Sequence, residues 1–245
     1  KRALTQRATR IMKFIAVIPA RGGSKGIHRK NVVDLSGRPL IAWTIDAALT
    51  SKVFDRVIVT TDDEEIAEVG RQFGAEAPFL RPTELATDKA SSISVVRHTV
   101  DWYVNAQRGK AEAVMLLQPT SPFRDASDIR AAADLAISAN DTDVSNVISV
   151  KRCAHDPRWC FRVDEQNMLA PLFAAERSHR RQDASETYQP NGAIYISSIS
   201  KLLIGGGYDD PAKAYMMPED RSIDIDSPWD LEVARLVAAR FNNQT

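Results

Sequence analysis

The chain reads as an α/β protein whose mostly parallel sheet is covered by helices on both faces. Three observations predict this: apolar, β-branched runs without polar alternation, stretches of 3.6-residue apolar period between them, and regular succession of the two as far as Val150. A strand buried on both faces has no polar side to show, so a continuous apolar run is its signature. The 245 residues, 44% hydrophobic and 26% charged, suffice for one domain with a substantial core.

The elements follow in order. Residues 1–12 are polar and basic at the start, lead into no signal-peptide apolar stretch and read as a disordered leader, leaving 13–245 as a single domain. A first strand over Phe14–Ile18 breaks at Pro19 into a glycine-rich basic loop. Apolar periodicity gives a helix over Leu40–Leu49, and a β-branched run gives a strand over Arg56–Thr60. Asp62 and Asp63 stand where an N-cap belongs, before a helix over Glu64–Phe73. A helix over Ser92–Asn105, a strand over Ala113–Gln118, a helix over Asp128–Ser138 entered through Ser127 and Asp128, and a strand over Val144–Val150 continue the rhythm. From about 151 to 190 it fails, as in an inserted excursion. A strand over Asn191–Ser197 resumes it, and "SIDID" then reads as a last strand before a helix starting near Ser227 or Pro228.

Charge and cysteine usage exclude several classes. Lys plus Arg (32) equals Asp plus Glu (32), so no overall basic field calls for a nucleic-acid or membrane partner. No stretch approaches the ~20 apolar residues of a membrane span. Cys153 and Cys160 are too few for a zinc ribbon or disulfide framework, which points to a reducing cytoplasm. His28, His98, His155 and His179 have no metal-ligand spacing and no nucleophile signature, and carry no catalytic assignment.

The loop "ARGGSKGIHRKN" lacks both G-x-x-x-x-G-K-[ST] and G-x-G-x-x-G, which counts against a dinucleotide-dependent oxidoreductase. Gly22, Gly23 and Gly26 let backbone N–H groups approach an oxyanion, with Arg21, Ser24, Lys25, Arg29 and Lys30 beside them. The composition suits a triphosphate; a plain tight turn with solvated cations would use the same residues. Asp224 and Asp226, on one face of an alternating strand, offer hard oxygen ligands for Mg²⁺, or form a solvated strand end in which Asp226 caps the next helix. Gln118 ends a strand at the edge where such sheets bind ligands, and also fits as a turn donor. Arg81 and Ser92 bracket a turn-rich stretch that reads equally as surface loop or as groups that read a nucleobase.

Taken in order, "IPARGGSKGI" with "RKN", "VIVTTDDEEIAE", "LRPTELATDKASS", "LLQPTSPFR", "RRQD", "NGAIYI" and "SIDIDSPWDLEVA" resemble the acylneuraminate cytidylyltransferase family, the CMP-sialic acid synthetases and their nonulosonate relatives. The resemblance runs from Phe14 to Ala234. It implies a Rossmann-like nucleotidyltransferase core with a dimerisation excursion, and a reaction in which CTP and a nine-carbon α-keto sugar acid give a CMP-sugar and pyrophosphate. It assigns the nucleotide to Arg21, Gly22, Gly23, Ser24, Lys25, Lys30 and Asn31, with Arg81 and Ser92 on cytosine. Gln118, Arg181, Asn191 and Tyr195 would meet the sugar acid, with Arg181 reaching in from the partner of a homodimer or folding as a flap over its own subunit's pocket, and Asp224 and Asp226 would hold Mg²⁺. Arg21, Lys25, Gln118 and Asp226 are the implied catalytic set. His28, "QDASE" and "HDPRWC" depart from the family pattern, the last two inside the excursion that helps build the sugar site. A different keto acid on the same chemistry, or a nucleotide-binding interaction protein on the same fold, are the alternative readings.

Overall fold

The structure, a computed structural model, describes residues 12–139, 146–173, 186–208 and 210–242. The leader other than Met12, and Arg181, lie outside the described residues. The chain forms β1 (Phe14–Pro19), β2 (Asp34–Leu35), β3 (Arg38–Pro39), α1 (Leu40–Ser51), β4 (Phe54–Thr60), α2 (Glu64–Gln72), α3 (Ser92–Asp101), β5 (Ala113–Leu116) and α4 (Ala126–Ala139). It continues with β6 (Asn146–Arg152), β7 (Phe161–Val163), β8 (Leu169–Pro171), β9 (Tyr188–Ser198), α5 (Ile199–Leu203), β10 (Ala212–Met216) and α6 (Pro228–Asn242).

Six strands make one sheet in the order β10-β6-β9-β5-β1-β4, parallel except for β9, which runs antiparallel to both neighbours. β1 shows why its sequence is apolar throughout. Phe14, Ala16 and Ile18 pack into one core, where α1, α2 and α4 supply Ile45, Ile66 and Ile129, while Ile15 and Val17 pack on the other face, where α3 and α5 supply Val96 and Leu202. A third cluster seats α6, through Leu231 and Ala234, on Leu35, Leu40 and Phe123.

Helix entries are fixed by side chains. Asp63 caps α2 by accepting from Ile66 N–H at 3.1 Å, as expected; Asp62 turns the other way. For α4 the accepting residue is Asp125, three residues before the predicted start, because its carboxylate takes the Ser127 and Asp128 N–H groups at 2.7 and 3.0 Å. Ser127 and Asp128 are therefore inside the helix, and Asp128 is fully buried against the Arg221 guanidinium (2.8 Å) and the Tyr215 hydroxyl (2.8 Å). α3 ends at Asp101 and widens into a π-type turn over Trp102–Ala106 where a continuous helix to Asn105 is predicted.

Two segments differ in kind from expectation. Ser222–Asp226 joins no sheet; Ile225 N–H bonds to Thr120 C=O at 2.8 Å, which ties the segment to the loop after β5 rather than to a strand. The unpredicted β10 takes the sheet position beside β6 instead. Within the excursion, β6 and β9 prolong their pairing (Arg152 with Tyr188) and β7–β8 form a separate hairpin. Among the described residues no helix is long and apolar enough to cross a membrane.

Candidate active site

The parallel strands β1, β4 and β5 end at one edge and deliver the glycine loop, Thr61–Asp62 and Gln118 to it; antiparallel β9 brings Asn191 and Gly192 to the same edge. There an open cleft of about 330 Å³ is lined by Arg21, Gly23, Ser24, Lys30, Asn31, Arg81, Ser92, Gln118, Asp224 and Asp226. Ten sequence-selected residues thus converge from five separated segments.

The loop is held from beneath. Asn31 is buried and its amide donates to Arg21 C=O at 2.9 Å, so part of its work is to shape the turn. Arg29 is spent on α2, where its guanidinium meets the Asp63 carboxylate with two bonds of 3.0 Å and Glu65 at 2.7 Å, holding Asp63 below the usual carboxylate range. A Cβ at Gly26 would overlap the Asp226 backbone carbonyl, so only glycine lets the loop lie against the acidic segment. Lys30 ties the two together, donating to Ile225 C=O at 2.9 Å and Asp226 Oδ1 at 3.0 Å.

Gly22 and Lys25 do not line the cleft. The Gly22 N–H donates to Asp62 Oδ1 at 3.0 Å, and Lys25, largely exposed, pairs at 2.7 Å with Asp88, which itself lines the cleft. Asp88 also takes Arg21 at 2.7 Å, and the two cations hold its carboxyl below the usual range. A triphosphate drawing on this Arg–Lys pair would exchange one carboxylate for phosphate oxygens.

Asp224 is half-buried, and its Oδ1 has no hydrogen-bond partner among the described residues. Burial raises its carboxyl above the usual value, opposed by the Thr120 hydroxyl and the Lys30 and Lys151 charges and helped by Asp226. An orphan carboxylate oxygen beside a second, exposed carboxylate is a hard-donor pair that fits a divalent cation. No group of three or more potential protein ligands occurs among the described residues, so such an ion would complete its shell with water and substrate oxygens. Asp226 is fixed from the α6 side: its N–H and that of Ser227 both donate to Asp230, which Ser227 Oγ also contacts at 2.7 Å.

Asn191 does not reach the cleft. Its amide donates to Ser222 Oγ at 2.9 Å and approaches Met217 Sδ, while its oxygen accepts from Ser149 Oγ at 2.6 Å and Ala193 N–H at 3.2 Å. With every polar atom engaged, the side chain braces β6, β9 and the Ser222 turn, and it is not among the residues that line the cleft. Tyr195 lies outside the residues lining the cleft, against Tyr208 at 5.1 Å, with its phenol raised by burial and by the Asp224 charge.

Three residues of the site escape sequence reading. Gly192 has φ +78° and a Cβ there would crowd Ser121, Gln118 and Asp224, a role for which the "NG" pair was the available signal. Asp62 was read as a helix entry. Arg124, fully buried, donates to Ala193 C=O, Thr44 Oγ1 and Gln118 C=O and so fixes the strand end that carries Gln118; nothing in its local sequence marks it.

A family model described as Cytidylyltransferase matches residues 15–198. The chain is 39% identical over 236 residues to the N-acylneuraminate cytidylyltransferase of Escherichia coli O18:K1:H7, covering 95% of this chain and 54% of that protein, so it spans about half the relative's length. It is 37% identical to the CMP-N,N'-diacetyllegionaminic acid synthase of Legionella pneumophila, covering 89% and 93% of the two chains. It is 32% identical to the pseudaminic acid cytidylyltransferase of Campylobacter jejuni, covering 92% and 96%. Among solved structures, a CMP:2-keto-3-deoxy-manno-octonic acid synthetase complexed with CTP superimposes with TM-score 0.68 at 17% identity, over 94% of this chain and 99% of that one. The 4-diphosphocytidyl-2C-methyl-D-erythritol synthase of Anaerococcus prevotii gives 0.64 at 12% identity, over 94% and 97%. At these identities the structures establish the nucleotidyltransferase-like fold, while the match of family model and relatives establishes kinship: the chain belongs to the cytidylyltransferase family.

Proposed function

We propose that the chain transfers a cytidylyl group from CTP to the anomeric hydroxyl of a nine-carbon α-keto sugar acid, an N-acylneuraminate, giving the CMP-sugar and pyrophosphate. The observation that carries this is one cleft uniting a phosphate-type glycine loop, a buried arginine, Arg81, whose Nε has no partner among the described residues, and the Asp224–Asp226 pair. The relatives with N-acylneuraminate, legionaminate and pseudaminate names supply the substrate class.

In this reading the anomeric oxygen forms a bond to the α-phosphorus, the bond from that phosphorus to the bridging oxygen of pyrophosphate breaks, and the hydroxyl proton passes to solvent water. Such transfer asks the protein mainly for alignment and charge neutralisation. Arg21, Lys25, Lys30, Ser24 and the loop amides bind the triphosphate and receive the growing charge on the leaving pyrophosphate. Arg81 donates toward cytosine O2 and N3, with Ser92 beside it. Gln118 orients the sugar acid, and Arg181 pairs with its carboxylate. Asp224 and Asp226 would hold Mg²⁺, which when bound neutralises the α-phosphate and lowers the pKa of a hydroxyl coordinated to it. CTP is a cytoplasmic metabolite, and the unpaired thiols Cys153 and Cys160 agree with that compartment.

The active form is a homodimer on the same proposal. The β7–β8 hairpin stands apart from the main sheet with Val163 (62%), Met168 (65%) and Leu169 (62%) exposed, and an isolated two-stranded hairpin with apolar faces gains most of its stability by packing on a second copy. Sedimentation at micromolar concentration is expected to give the mass of two chains.

The substrate is tested by measuring kcat/KM with CTP for N-acetylneuraminate and for legionaminate- and pseudaminate-type acids. N-acetylneuraminate is expected to rank first. A higher value for either of the other acids would move the assignment to that acid while leaving the reaction type intact.

A further inference from the structure

The two carboxylates that follow β4 face opposite ways. Asp63 serves α2 and Arg29, whereas Asp62 Oδ1 accepts the Gly22 N–H at 3.0 Å and stands 3.6 Å from the Arg81 guanidinium. Arg81 is a buried cation, its side chain 3% exposed and its Nε without a hydrogen-bond partner among the described residues. Its backbone N–H is fixed to Thr61 C=O at 2.7 Å, one residue before Asp62. Burial opposes its charge, Asp62 is the carboxylate that favours it, and Arg21 across the cleft repels it. A long flexible side chain in that position needs a fixed anion to choose one orientation. The same anion holds Gly22 of the phosphate loop.

We propose that Asp62 is the positioning residue for nucleobase recognition: it aims Arg81 at the base and, through Gly22, sets the phosphate loop in the same register. This rests on the reading above that Arg81 faces cytosine. Cytosine N3 accepts a hydrogen bond where uracil N3–H donates, so a correctly aimed guanidinium rejects uracil, and a guanidinium free to rotate does not.

The experiment compares Asp62→Asn and Asp62→Ala with the wild type by calorimetric binding of CTP, UTP and inorganic tripolyphosphate, the last carrying no base. Asn keeps the shape and an acceptor for Gly22 but removes the charge facing Arg81; Ala removes both. The wild type is expected to prefer CTP over UTP by ~10-fold or more, and Asp62→Asn to reduce that preference to ~3-fold or less with tripolyphosphate unchanged or tighter. Asp62→Ala should lose the preference and also weaken tripolyphosphate, because the Gly22 tether is gone. Melting temperatures, read alongside, should stay within ~3 °C of wild type for the Asn variant. Retention of the CTP preference in Asp62→Asn overturns the proposal, as does an equal weakening of all three ligands, which a loop scaffold alone would give. A wild type that binds CTP and UTP equally would overturn the base-facing reading of Arg81 itself, and is thereby distinguished from failure of the variant.

Discussion

Asp226→Asn is expected to lower turnover with Mg²⁺ by about 100- to 1,000-fold, the range seen when one preorganised electrostatic contact to the developing charge is removed. The same substitution should tighten CTP binding by ~2- to 5-fold in EDTA, since an exposed ion pair is worth little but a carboxylate beside a triphosphate repels it. Asp226 holds Lys30 at 3.0 Å, and neutralising it also frees that ammonium for phosphate. The reversal of sign between the two conditions separates an ion-holding carboxylate from a structural one. Asp224→Asn should be similarly inactive and yet melt at a higher temperature than wild type without ligand. The reason is the direction of its shift: a carboxyl raised by burial opposes folding when ionised, and that opposition is present above its raised value and relieved as pH falls through it. A stabilised, inactive Asp224→Asn is the pattern of a residue kept for function. Turnover within threefold of wild type in either variant would remove the pair from the reaction.

Asp128→Ala is expected to cost about 3 kcal/mol, near the low end for breaking a buried ion pair because Arg221 retains some contact with solvent. Its carboxylate receives two guanidinium bonds of 2.8 Å and the Tyr215 hydroxyl, so one truncation unpairs α4 from β10 and from the turn before Ser222. For a chain of this size that corresponds to a fall of roughly 6–12 °C in melting temperature. Because Arg221 leads directly into Ser222–Asp226, the variant should also lose turnover below its melting point. A shift under about 2 °C would show that the network carries little of the stability.

What the sequence disclosed follows from which signals are local. β1 and its loop are legible because a strand buried on both faces must be apolar and because glycines beside cations state their chemistry within twelve residues. The cleft residues were found because they occur in short motifs whose order along the chain is preserved. β10 was missed because its exposed and half-buried residues alternate in "AKAYM" with one large aromatic, too weak a pattern to mark a strand next to Pro211. Asp224 and Asp226 were placed on a strand because alternation was visible, whereas what shapes that segment, Thr120, Lys30 and Gly26, comes from 100 to 200 residues away. Asn191 is tied to substrate only through the resemblance carried by "NGAIYI"; Ser149, Met217 and Ser222, which engage its side chain, are invisible to any local reading. Asp62 and Arg81 are 19 residues apart and meet only because β4 and the segment after α2 run side by side.

The most direct test is mass spectrometry of purified chain incubated with CTP, Mg²⁺ and N-acetylneuraminate. The account predicts a CMP-sugar and pyrophosphate in equal amounts, formed only when CTP and the acid are both present. Pyrophosphate release that does not depend on the acid, or no CMP-sugar with any nine-carbon keto acid supplied, would contradict it.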